Sequence, residues 1–181
     1  MNHYYYLVSQ LPALPSSDDK AALPITEASF KELCARFLTP HEQKTVAALS
    51  LVPPREAPTT GSVFLDAWYE AERCLRFALA QVRAQKLRKE AQPLPGACTA
   101  DIQQVARTAV GMDSPLQAEQ YLFTFRMDTV HRLSPIDVFS IDGVYAYGIR
   151  LLLTARMKQF DRERGTASYH TIYDSILGET I

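Results

Sequence analysis

Apolar positions along this chain recur at helical spacing, in long and clean stripes. Phe30, Leu33, Cys34 and Phe37 fall at i, i+3, i+4 and i+7, which predicts a helix over residues 26–38 capped by Thr26. Phe64, Ala67, Trp68, Ala71, Leu75, Ala78, Leu79 and Val82 hold the same period and predict the longest helix, 62–91. Leu116, Phe123, Met127, Val130 and Leu133 mark a third stripe over 114–133. Ile141, Val144, Tyr145, Gly148, Leu151, Leu152, Ala155 and Phe160 mark a fourth over 141–164. A glycine inside a helix costs about 1 kcal/mol against alanine, so Gly148 predicts a close helix crossing. Gly165 is expected to stop that helix, and "TASYHTIYDSIL" to form a last short one.

Punctuation between the stripes agrees with them. "TPHE" at 39–42 supplies a cap, a proline at the first helical position and a glutamate at the third, opening a helix to residue 51. Ser114-Pro115-Leu116-Gln117 repeats the pattern, and Thr99 opens a short helix ended by Gly111. "HYYYLV" at 3–8 is too short for periodicity to choose between helix and strand, and Pro12 and Pro15 end it. "SSDDKAALP", "VPPREAPTTG" and "QPLPGAC" read as connections. No alternating pair of runs with a hairpin signal occurs, and no repeat of fixed period. The expectation is an all-α bundle of about six to seven helices, two or three of them long. It forms a single domain over 1–181, or two lobes joined by the Pro-rich segment 52–60.

Composition narrows the function classes. Lys+Arg number 19 against 20 Asp+Glu, so the basic excess of a general nucleic-acid binder is missing, as is long-range attraction to an anionic membrane. Cys34, Cys74 and Cys98 are widely spaced, odd in number and without a CxxC. They read as free thiols in a reducing cytoplasm, with Cys34 and Cys74 serving as small hydrophobes. "MNHYYYLVSQLP" lacks the basic region of a signal peptide. The most apolar stretch, "VYAYGIRLLLTARM", is interrupted by Arg150 and Arg156, short of the roughly 18 residues of a membrane span. The expected location is cytoplasmic, peripheral to a membrane at most.

Candidate chemistry is thin. Asp128 and His131 are three apart on one predicted helix and share a face, but a metal site in a bundle needs matching ligands on facing helices. No Glu-x-x-His occurs, so the pair reads as solvated surface. His3, His41 and His170 are isolated. GxSxG, GxxxxGK[ST] and GxGxxG are all missing. No catalytic, cofactor-binding or metal residue is assigned, and the chain reads as non-catalytic. Three successive tyrosines, Tyr4, Tyr5 and Tyr6, cannot all face one core, so at least one belongs at a surface or subunit contact. Arg83, Lys86, Arg88 and Lys89 form a basic helix end, suited either to an acidic partner or to the helix dipole. These seven residues are the candidate partner contacts.

Two stretches taken together resemble a bacterial family of unknown function. "YYYLVSQLPAL" resembles its tyrosine-rich "YY-x-LV-x-x-LP" opening. "SPLQAEQYLFTFRMDTVHRL" followed by "FSIDGVYAYGIRLLLTARMKQFDRERG" resembles its C-terminal half, with Phe139, Ile141, Asp142, Ala146, Tyr147, Arg150, Leu151 and Arg156 in comparable places. Genes of that family lie among those for the bacterial V/A-type ATP synthase. It is similar, more distantly, to the C subunit (d in eukaryotes), an all-helical funnel joining the rotor shaft to the membrane ring. The resemblance implies a non-catalytic subunit or accessory protein whose partners are central-stalk and membrane-ring subunits, with no cofactor. The C subunit is longer and built of repeated lobes, so this chain would supply only part of such a funnel. Segment 52–60 matches nothing in it. From other classes stand a small helical metal- or ligand-binding protein using Asp128 and His131, and a regulatory adaptor unrelated to the ATPase.

Overall fold

The computed structural model describes residues 4–15, 22–54, 59–90, 93, 98–160 and 162–178. His3, residues 16–21 of the expected first loop and 55–58 of the Pro-rich segment lie outside the described residues. Among the described residues the chain is all-α. Eight helices follow in order: α1 Tyr5–Ser9, α2 Glu27–Phe37, α3 Pro40–Ala47, α4 Val63–Lys86, α5 Ala100–Gly111, α6 Pro115–Leu133, α7 Ile141–Met157 and α8 Arg162–Gly178.

Helix starts follow their local signals. Thr26, Ser62, Ser114 and Ser140 each accept a backbone N–H from the third residue beyond. At α3 the reciprocal box closes: Thr39 Oγ1 accepts from the Glu42 N–H, and the Glu42 carboxylate accepts from the Thr39 N–H at 2.8 Å.

Helix ends depart from expectation in three places, the first being α3, which stops at Ala47 instead of reaching residue 51. α4 stops at Lys86 instead of reaching residue 91. Arg88 turns left-handed (φ 53°), its N–H donates to the Gln85 carbonyl, and the Lys89 N–H donates back to Ala84. That is a Schellman closure without its usual glycine, so no glycine in the sequence announces it. The predicted 141–164 helix is two helices. Gln159 and Phe160 donate to carbonyls three residues back, tightening the last turn of α7, and the Arg156 guanidinium lies 5.4 Å from the Phe160 ring centroid. Gly165, expected to be a stop, lies inside α8.

α7 is the spine. Every residue from Val144 to Ile149 is buried, as are Leu151, Leu153 and Thr154. A helix apolar on all sides needs neighbours all round, and α1, α2, α3, α4 and α6 supply them. Gly148 faces Phe30 and Leu49, and a Cβ there would meet the Leu49 Cδ1 at 2.6 Å. The close crossing is thus with the side chains of two neighbours. Gly143 meets backbone instead: a Cβ would lie 2.4 Å from the Val138 carbonyl oxygen.

Apolar burial divides into two clusters strung along α4 and α6. One gathers Phe64, Leu65, Trp68 and Tyr69 of α4 with α7, Phe30, Cys34 and Val130. The other gathers Cys74, Leu75, Ala78 and Leu79 with Ile102, Ala106, Ala109 and Leu122. The division therefore runs across the length of two helices. Every α8 residue whose side chain is described is exposed, including Tyr169, Ile172, Tyr173 and Ile176.

The cysteine reading needs correction. Cys74 and Cys98 are bonded, with Cα atoms 5.2 Å apart at a sequence separation of 24. Cys98 enters the second cluster just before α5, a proximity that sequence spacing does not reveal. Only Cys34 is a free thiol, so the argument from three free cysteines for a reducing cytoplasm falls. Burial pushes the Cys34 thiol up to about 12.

Candidate functional site

A cleft of about 760 Å³ opens between the extended segment after α1, the C-terminal half of α6 and the solvent side of α7. Its walls include Val8, Leu11, Leu14, Met127 and Ala146, and Pro12 and Pro15 border it. The two prolines keep segment 11–15 out of a helix, so it lies extended along the bundle. Tyr147 fixes it there: its hydroxyl donates to the Pro12 carbonyl at 2.8 Å. Burial pushes this phenol up to about 12, against the pull of the nearby Arg150 charge, so it remains a donor at neutral pH.

Polar groups converge on the same cleft. His131 comes from α6, Ser134 from the end of that helix and Arg150 from α7. The Arg150 guanidinium sits 5.8 Å from the Tyr147 ring centroid. No carboxylate is among the described lining residues. The Asp128–His131 pair therefore divides: both are exposed, but His131 borders the cleft and Asp128 does not. Among the described residues no group of three His, Cys, Asp or Glu is placed to hold a metal. His131 shares the cleft lining with Arg150, 19 positions on in sequence and on another helix.

The tyrosines part company. Tyr4 is half-buried, its N–H donating to the Phe139 carbonyl at 2.8 Å and its hydroxyl to Glu42. Burial works to raise the Glu42 carboxyl, but hydrogen bonds from the Tyr4 hydroxyl and from Thr39 hold it below its ordinary value. Tyr5 stacks obliquely on Phe139, centroids 4.5 Å apart, and stays half-exposed. Tyr6 is 80% exposed. Arg83, Lys86, Arg88 and Lys89 are all exposed at the far end of α4, where Lys86 Nζ donates to the α5 carbonyl of Val110 at 2.7 Å. These two groups of candidate contacts sit on separate elements.

Sequence reasoning missed the most buried charge among the described residues. Glu72, 2% exposed, sits within the α4 stripe. It accepts from Arg76 Nε at 2.8 Å, one turn on, and from Arg126 of α6 through Nε at 2.8 Å and Nη2 at 2.9 Å. A charged residue one turn after Trp68 and three before Leu75, in the middle of an apolar face, was its only signal. Asp142, one of the residues that carry the resemblance, ties two helices. It accepts from the Ser62 hydroxyl at 2.6 Å and from the Phe64 N–H at 3.4 Å, at the electropositive start of α4.

No family model matches the chain, and neither a curated protein nor a solved structure matches it.

Proposed function

We propose that this chain is a non-catalytic helical subunit or accessory protein of a bacterial V/A-type ATPase, linking or stabilising its central stalk and membrane ring. The observation that carries the reading is the resemblance of the two quoted stretches. The fold supports treating them as one unit. Tyr147 of the second bonds Pro12 of the first at 2.8 Å, and Phe139 accepts from Tyr4 at 2.8 Å. The residues that fill the family pattern thus include those that join the two ends of the chain.

The role would be mechanical: to hold geometry, or pass torque, between shaft and ring. Such a part has to resist shear between helices. Close-packed interiors supply stiffness, and directional links resist sliding. Glu72 and Arg126 cross-link α4 to α6, and Asp142 with Ser62 cross-links α7 to the start of α4. Contact surfaces in this reading are the exposed Tyr5 and Tyr6 and the basic end at Arg83, Lys86, Arg88 and Lys89. No helix among the described residues is long and apolar enough to cross a membrane. In this reading the chain reaches the ring by docking onto embedded subunits from the cytoplasmic side.

The test is affinity purification of the tagged protein from its native cells in mild detergent, with mass spectrometry of co-eluting chains. Shaft and ring subunits in near-equal amounts support the reading. A protein that elutes alone, or with unrelated soluble partners, rejects it and favours a free-standing ligand-binding protein or an adaptor.

A further inference from the structure

The geometry points to the α1–α6–α7 cleft as a binding site for an amphipathic monocarboxylate, with Arg150 holding the carboxylate and the wall of Leu11, Leu14 and Met127 taking the apolar body. The inference stands apart from the ATPase reading, because it rests on the cleft alone.

Three observations combine. At about 760 Å³ the cleft has the size of a small-molecule site, for which roughly 300–1,000 Å³ is usual. Its walls are chiefly apolar, and burying apolar surface drives binding there. Among the described residues its charge is one-sided: Arg150 lines it and no acid does. Arg150 makes no ion pair among the described residues and is already oriented by the Tyr147 ring. A guanidinium offers a planar fork of donors that matches the two oxygens of a carboxylate. The apolar lining disfavours a small hydrophilic anion, which would gain nothing from Leu11, Leu14 or Met127. A cationic amphipath would meet like charge.

The experiment is calorimetric titration of the whole chain with decanoate below its micelle concentration, beside decyltrimethylammonium as a control of opposite charge. Saturable one-site binding of decanoate, with no comparable binding of the ammonium, is expected. Arg150→Gln should weaken decanoate binding by about tenfold or more, the worth of one charge-assisted hydrogen bond. Arg150→Lys should fall between the two. Ala13→Trp, on the exposed segment at the cleft rim, should block binding by filling the space. Unfolding curves of each variant confirm that the fold is kept. If Arg150→Gln does not fold, His131→Gln and the comparison of decanoate with ammonium still decide. Absence of saturable decanoate binding overturns the inference. So does equal binding of the ammonium, or binding unchanged in a folded Arg150→Gln.

Discussion

The Glu72 carboxylate and the Arg126 guanidinium form a two-point pair, Oε2 to Nε at 2.8 Å and Oε1 to Nη2 at 2.9 Å, between α4 and α6. The Glu72 side chain is 2% exposed and that of Arg126 is 12% exposed. Removing one partner of a buried pair strands the other charge at a cost of about 3–5 kcal/mol. Arg126→Ala should therefore lower stability by about that much, with Arg76 supplying partial compensation from the exposed side. Urea unfolding followed by circular dichroism measures it. A loss no larger than that of a surface arginine would mean that water reaches Glu72.

Gly143 should tolerate nothing larger. Its added Cβ would lie 2.4 Å from a backbone oxygen of Val138, which has no rotamer to change. Gly143→Ala is expected to cost about 1–3 kcal/mol, the usual range for overpacking. Gly111→Ala, where nothing lies within 4 Å, serves as the control and should be near neutral. Thermal unfolding of the two variants side by side gives the comparison.

Asp128 and Phe123 lie five residues apart on α6 and should behave in opposite ways. Phe123 is 8% exposed and packs into the first cluster. Phe123→Ala should cost about 3–5 kcal/mol. Asp128 is exposed, so Asp128→Ala should change stability by less than about 0.5 kcal/mol. A large loss at Asp128 in chemical denaturation would assign it a partner beyond its solvent-facing position.

Acid should remove a stabilising contribution from Glu42. Its carboxyl is held below its ordinary value of 4.5 in the folded chain. A depressed carboxyl contributes stability that is complete above the ordinary value and is lost as pH falls through the lower, folded one. The stability advantage of the natural protein over Glu42→Gln should thus be present at neutral pH and shrink below about pH 4.5. Tyr4→Phe removes one of the bonds that depress the carboxyl and should flatten the same acid limb. Urea midpoints taken across pH would show it, and a gap that widened towards acid would contradict it.

The helical period and the start signals were legible because they are local. Thr26, Thr39, Ser62 and Ser114 cap their helices as read, since a cap needs only a side chain and an N–H three residues away. The stops at Lys86 and Met157 were less legible. One uses a left-handed arginine where a glycine is usual, and the other a tightened turn with no breaker residue. The cleft was not legible at all. His131 and Arg150 lie on different helices, and the proline segment that borders the cleft is more than 100 residues upstream of them.

By itself the sequence determined an all-α chain, most of its helix starts and the apolar faces to be buried, because backbone hydrogen bonds and side-chain periodicity act over a few residues. Tertiary structure alone decided what those faces meet. It joined Cys74 to Cys98, set Arg126 against Glu72, seated Asp142 on the start of α4 and turned His131 and Arg150 towards one cleft. Each of these depends on two helices arriving at one place, and their packing is set by volume and shape summed over the whole core, which no local window contains.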